Sequence, residues 1–171
     1  SIDKSEKRLK LMKENLYRLK YDLELICIDV LQYKPKKLFD IILLDPPCTA
    51  TGTIGKNPDL QFLNPLDKLE ELLDIQKKML DLCSGWLKDN GFIIYSVCSL
   101  QKEEGENQIN LFLAKHDKFR AVKPKGGPHL CKDGFEIGKD KGIRIMPFFE
   151  ERIGGTEGFY FVYLQLMGKN N

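Results

Sequence analysis

The fold this sequence predicts is α/β, a mostly parallel sheet closed by an antiparallel hairpin, and three observations point to it. Two apolar runs, 39–44 and 92–98, have the length of strands, and the first is apolar enough to be buried on both faces. Between them Leu69, Leu72, Leu73, Met79, Leu80, Cys83 and Trp86 recur at helical spacing. After a Gly-, Pro- and Lys-rich stretch from Pro124 to Lys141, which reads as loop, strand-like runs Ile143 to Phe149 and Phe159 to Leu166 flank a turn at Gly154-Gly155.

Taken in order, Ser1-Ile2-Asp3 reads as the tail of a strand whose beginning is missing. Leu9, Met12, Leu16 and Leu19 mark a helix from about Ser5 to Lys20, and Leu23 to Val30 is a short strand candidate containing Asp29. The turn-rich segment from Asp45 to Asn64 spans 20 residues, too long for a mere connector, so a functional loop is expected. Asn64 then caps a helix with Pro65 at its first position, running to about Leu87 and ended by Asn90-Gly91. Glu103, Glu104 and Glu106 open a last helix, as the macrodipole favours, with Ile109, Phe112 and Leu113 on its buried face. No repeat or linker interrupts residues 1–171, which read as a single domain.

Composition excludes more than it assigns. The 27 basic and 25 acidic residues nearly cancel, so the net charge of +2 does not by itself indicate a polyanion partner. Local clusters do exist, at Lys4 to Lys20, at Lys34, Lys36 and Lys37, and around Lys123, Lys125 and Lys132, and each is either a phosphate contact or a solvated face. The five cysteines are odd in number and lack a Cys-x-x-Cys pair, which suits reduced thiols in the cytoplasm and argues against a thiol redox protein. With two histidines at no ligand-like spacing, no metal is expected, and no apolar run is long enough for a membrane helix.

Chemistry concentrates at the ends of the two apolar runs, the edge where open α/β sheets bind ligands. In Asp45-Pro46-Pro47-Cys48 the consecutive prolines stiffen the backbone, so carboxyl and thiol sit at the mouth of the sheet; the plain alternative is a rigid strand exit. Cys98 follows Tyr95-Ser96-Val97 and precedes Ser99; a strand-end cysteine is more often inert core, but small polar neighbours leave room for a substrate. Cys27 and Cys83 read as packing residues, and Cys131 stays unassigned.

Asp45-Pro46-Pro47-Cys48-Thr49-Ala50-Thr51-Gly52, Asn57-Pro58-Asp59, Gln76, Tyr95-Ser96-Val97-Cys98-Ser99, Glu103-Glu104-x-Glu106-Asn107, Arg144-x-x-Pro147 and Glu157-Gly158-Phe159-Tyr160 occur in that order. Together they resemble the Sun-type RNA cytosine-5 methyltransferases, from Asp3 to the end of the chain, and most closely the bacterial enzymes that modify small-subunit ribosomal RNA. The resemblance implies a Rossmann-like methyltransferase sheet and S-adenosylmethionine as cofactor. It implies a ribosomal RNA substrate in preference to tRNA, Cys98 as the nucleophile that adds to cytosine C6, and Cys48 as the second cysteine, which releases the product. Asp45 would hydrogen-bond the pyrimidine and border the cofactor, Asp3 would bind the ribose hydroxyls, and Asp29 would face the adenine amino group; as residues alone, Asp3 and Asp29 read more readily as strand-end caps.

The chain departs from the family pattern in three ways. The first strand with its glycine-rich loop and the N-terminal RNA-binding regions are not present, Val97 replaces a threonine, and Pro46-Pro47 replaces Ala-Pro. In this family the first strand lies between the strands ending at Asp3 and Asp45, so two unpaired edges and marginal stability are expected, with a separate N-terminal piece as one source of the strand. The competing readings are a non-catalytic remnant that binds RNA or a partner, and an amino-group methyltransferase, against which Cys48 stands where that motif has an aromatic.

Overall fold

The computed structural model describes residues 1–123, 135–137, 142–147 and 154–168. The chain divides into two compact units, Ser1–Lys37 and Leu38–Asn171. In the first, β1 (Ile2–Asp3) and β2 (Ile26–Cys27) pair in parallel, with Ile2 opposite Ile26 and Asp3 opposite Cys27. Helix α1 (Glu6–Leu19) connects them, capped by the Ser5 hydroxyl, which accepts from Arg8 N, and stopped where Lys20 turns left-handed at φ 58°. The strand expected from Leu23 to Val30 contracts to β2, because its two-residue partner offers no longer ladder and Asp29 instead caps a short 3-10 turn, Val30–Gln32.

The second unit is built on β3 (Phe39–Leu44), β4 (Leu87–Val97), β5 (Phe119–Val122), β6 (Phe135–Ile137), β7 (Ile143–Ile145) and β8 (Phe159–Leu166). Its strand order is β3-β4-β8-β7-β6, with β5 also against β8. β3 and β4 run parallel, whereas β8 is antiparallel to β4, β5 and β7, so the sheet is mixed and the expected terminal hairpin of β7 and β8 is present. Between β3 and β4 lies α2 (Leu69–Ser84), and α3 (Gln108–Lys115) follows β4.

Alternation on β4 and β8 places the core. Ile93, Tyr95 and Val97 of β4 and Tyr160, Val162 and Leu164 of β8 are buried, as are Leu80 and Cys83 of α2 and Ile109 and Phe112 of α3. Each such apolar side chain contributes roughly 1.5–3 kcal/mol when fully buried. Burial pushes the Cys83 thiol up to about 12, in keeping with its packing role.

Several boundaries differ from expectation for local reasons. α2 begins at Leu69 because Pro65–Lys68 form a separate 3-10 turn, and the Asn64 side chain makes no cap. Its end falls at Ser84, since the Trp86 carbonyl accepts from Phe39 N at 2.8 Å and draws Trp86-Leu87 into the sheet. Asn90, at φ 63°, and Gly91 then form an irregularity inside β4, where a Cβ on Gly91 would lie 3.0 Å from the Asp40 carbonyl. The acidic run forms a wide π-type turn, Glu103–Asn107, ahead of α3.

β5 was not expected, although Phe119 and Ala121 alternate with Arg120 and Val122 as a half-buried strand requires. β6 lies inside the stretch expected to be loop; the rest of that stretch, Cys131 included, falls outside the described residues, as do the residues beyond Pro147 expected in the β7 run. Ile41 and Leu43, two residues apart on one face of β3, are 60% and 71% exposed, so the strand is not buried on both faces; it also ends the strand order, with β4 as its one partner among the described residues.

Candidate active site

Parallel pairing of β3 and β4, with Leu44 opposite Tyr95, brings both strand exits to the same edge of the sheet. Asp45 leaves β3 there, followed by Pro46, Pro47 and Cys48, while β4 delivers Cys98 one residue past its end. The Sγ atoms of Cys48 and Cys98 lie 3.5 Å apart, 50 residues apart in sequence. Three of the residues singled out from sequence are therefore neighbours.

The two thiols are unequal. Cys98 is held below the usual thiol value, chiefly by its hydrogen bond with Cys48, against the opposing pull of burial, Asp45 and Glu104. Cys48 is driven far above that value by the same hydrogen bond, with burial and the Cys98 charge adding to it. When the pair loses its first proton the remaining one stays on Cys48, so Cys98 is the sulfur that ionises first. Asp45 is exposed at the strand exit, yet the protein on one side removes enough water to raise its carboxyl, and no described residue donates to it.

Backbone and hydroxyl bonds lash the two cysteine segments together. Gly52 N donates to the Cys98 carbonyl at 3.0 Å, and Gly158 N donates to the Gly52 carbonyl at 2.8 Å. The buried Ser99 hydroxyl bonds the Thr49 and Thr51 hydroxyls at 3.0 and 3.3 Å, and Leu100 N donates to Thr51 Oγ1 at 3.0 Å. Gly52 is required by close approach, since a Cβ there would lie 2.0 Å from the Gly158 carbonyl oxygen. Gly52→Ala is expected to destabilise by about 1–3 kcal/mol, the usual range for forced overpacking. Thermal melts of the variant should show the loss, and reactivity of Cys98 toward an alkylating reagent should change with it.

Sequence reasoning quoted the supports of this site, Gln76, Glu104, Glu106 and Arg144, as motif residues but gave them no role in it. Glu104 is fully buried beneath the Cys48 loop, not a charge at a helix start, and Gln76 Nε2 donates both to it and to the Pro47 carbonyl, each at 2.9 Å. Arg144, 3% exposed, donates to the Ser99 carbonyl at 3.0 Å and pairs with Glu106 through two nitrogens. The usable signal was Gln76 standing among apolar positions of α2, because a buried amide needs a polar partner.

In the first unit, Asp3 and Asp29 come to the same end of the β1–β2 pair. Both make cap-like bonds: Asp3 accepts from Ser5 N at 2.7 Å and from Arg8 Nε and Nη2, each at 2.8 Å, and Asp29 accepts from Leu31 N at 2.9 Å. The Arg8 bonds hold the Asp3 carboxyl below the usual range. No cluster of metal-ligating side chains exists among the described residues, and no described helix is long and apolar enough to cross a membrane.

Residues 1–165 match the family described as 16S rRNA methyltransferase RsmB/F. The chain belongs to this family. It is 40% identical over 172 residues to the probable ribosomal RNA small subunit methyltransferase B of Coxiella burnetii, covering 96% of this chain and 37% of that protein. To the ribosomal RNA small subunit methyltransferase B of Pectobacterium atrosepticum it is 38% identical over 167 residues, 96% of this chain and 35% of the relative. The crystal structure of NSun6 from Pyrococcus horikoshii with SFG superposes with a TM-score of 0.81 at 28% identity, covering 98% of this chain and 41% of that one. This RsmB/F-family chain thus has the α/β methyltransferase fold and spans about a third of the length of the curated relatives it matches.

Proposed function

We propose that this chain carries part of a single methyltransferase domain that moves a methyl group from S-adenosylmethionine to C5 of a cytosine in RNA, ribosomal RNA in particular, in the cytoplasm. The observation that carries the reading is the unequal thiol pair, with Sγ atoms 3.5 Å apart beside a carboxyl that no described residue engages. Cytosine C5 is a poor nucleophile, and addition of the Cys98 thiolate to C6, with a proton given to N3 by Asp45, makes the ring an enamine whose C5 takes the methyl group. Cys48, having given its own proton to solvent once Cys98 is bound, takes the C5 proton, the C6–S bond breaks, Cys98 leaves as thiolate and the N3 proton returns to Asp45.

The pair is suited to that order of events. While Cys98 is free it accepts a hydrogen bond from Cys48; once Cys98 is a neutral thioether, that hydrogen bond and the charge that hold the proton on Cys48 are gone, and Cys48 can release it to solvent. Cys48 then becomes the readier base, at the step that needs one.

On the cofactor side the donor chemistry fits. Ribose hydroxyls and an adenine amino group are donors, and Asp3 and Asp29 present carboxylate acceptors at one end of the β1–β2 pair. Bound there, the cofactor supplies a methyl group on a positively charged sulfur. Isothermal calorimetry with S-adenosylmethionine is expected to give saturable binding that Asp29→Ala weakens at least tenfold; absence of binding to the unaltered chain would favour the non-catalytic reading. The outer edge of β3, with Ile41 and Leu43 exposed, is where we place a further strand and its glycine-rich loop, from a longer chain or a separate N-terminal piece. Methylated-nucleoside analysis of treated RNA tests the chemistry, 5-methylcytosine being expected and an N-methyl product overturning it.

A further inference from the structure

Glu104 is the buried acid whose role the thiol chemistry above leaves unassigned. Its side chain is fully buried, and the partners it has among the described residues are neutral. Thr49 N donates to Oε1 at 2.9 Å and reaches Oε2 at 3.3 Å, the Thr49 hydroxyl donates to Oε2, and Gln76 Nε2 donates to Oε1 at 2.9 Å. A buried carboxylate without a cation is costly, and its particular use is that both oxygens accept at once, which no amide can do.

The donors are placed on either side of one residue. Thr49 follows Cys48 directly, and Gln76, which Glu104 orients, also donates to the carbonyl of Pro47, which precedes Cys48. On its other side Glu104 is fixed to β4, where the Tyr95 hydroxyl donates to the Glu104 carbonyl at 2.7 Å, three residues before Cys98. We propose that Glu104 is a positioning residue for the thiol pair: through Thr49 and Gln76 it holds both neighbours of Cys48 and so sets the distance between Cys48 and Cys98. As a role in catalysis this rests on the proposed reading of Cys98 as nucleophile; as a statement about thiol geometry it does not.

The ionisable groups facing Cys98 are Cys48 on the loop, Asp45 at the end of β3 and Glu104 on the π-type turn. Removing the Glu104 charge alone would favour the Cys98 thiolate, whereas losing the Cys48 hydrogen bond would disfavour it. The two explanations therefore move the titration of Cys98 in opposite directions, which separates positioning from simple electrostatics.

The test is the pH dependence of iodoacetamide alkylation, read at each cysteine by peptide mass spectrometry on the full chain. Glu104→Gln is expected to raise the midpoint for Cys98, slowing its alkylation near neutral pH about tenfold for each unit of rise, and to speed alkylation of Cys48. Glu103→Gln, the same charge change on an exposed neighbour, should leave both profiles in place. Unchanged or lowered Cys98 titration in a folded Glu104→Gln protein overturns the proposal. Should that variant fail to fold, Thr49→Val decides in its place, with a raised midpoint supporting the role and an unchanged one overturning it. Because the readout requires neither RNA nor cofactor, a failed methyl-transfer assay alongside a shifted profile would count against the proposed function and not against the positioning role.

Discussion

Replacing Cys98 by alanine is expected to reduce methyl transfer to background, while Cys48→Ala leaves a protein that accumulates covalently on RNA. The asymmetry follows from the order in which the two sulfurs are proposed to act. Without Cys98 no bond to C6 forms, C5 stays a poor nucleophile, and nothing downstream can proceed. Without Cys48, the Cys98 adduct and methyl transfer still occur, but the C5 proton has no base and the C6–S bond cannot break; loss of such a base typically costs about 10²–10⁴-fold in turnover. Denaturing gels of labelled RNA incubated with each variant read both effects, since only the Cys48→Ala protein should retain label. A stable adduct in Cys98→Ala would reverse the assignment.

Arg144→Met is expected to destabilise the second unit strongly. Arg144 joins three things at once: the Glu106 carboxylate, the Ser99 carbonyl beside Cys98, and the Tyr160 ring, whose centroid is 5.2 Å from the guanidinium carbon. Removing one partner of a buried pair costs about 3–5 kcal/mol because the other is left uncompensated, and partial exposure of Glu106 puts this case near the lower end. For a chain of this size each kcal/mol lowers the melting temperature by about 2–4 °C, so a fall near 10 °C is the expected reading.

That cost depends on pH in a definite sense. Burial pushes the Glu106 carboxyl up, but the Arg144 hydrogen bonds and charge bring it net below its usual value of 4.5. A carboxyl depressed in the folded state stabilises fully above its unfolded value and loses that contribution as pH falls through the folded one. The gap between the unaltered protein and Arg144→Met should therefore be widest at neutral pH and narrow progressively below about pH 4.5. A gap independent of pH would mean that lost packing on Tyr160, not the ion pair, carries the effect.

The parts of this protein that were legible in sequence are those governed by local chemistry. Apolar runs located β3 and the core of β4, helical spacing located α1 and α2, and the two cysteine motifs led to residues that the fold brings into contact. What could not be read was set by partners distant in the chain. Nothing local to Trp86 and Leu87 says that they leave the helix to meet Phe39, and nothing local to Ile41 and Leu43 says that they face outward. Glu104 is the plainest instance: within its own turn it looks like a solvated acid, and only the return of the chain over Thr49 makes it a buried acceptor. The carboxylates at Asp3 and Asp29 have local partners in Arg8, Ser5 and Leu31, so both the capping and the binding reading remain compatible with what they touch.

The closeness of Cys48 and Cys98 also bears on how the protein must be handled. A disulfide needs sulfurs about 2.05 Å apart, and these two already touch at 3.5 Å with one of them favouring the thiolate. Peroxide is expected to join them, two thiols and one peroxide giving a disulfide and two waters, so that a single two-electron oxidation silences both sulfurs together. Intact mass should fall by about two hydrogens and recover with dithiothreitol. Any preparation stored without reductant would then contain a silent fraction indistinguishable, in an activity assay, from a chain that had never folded.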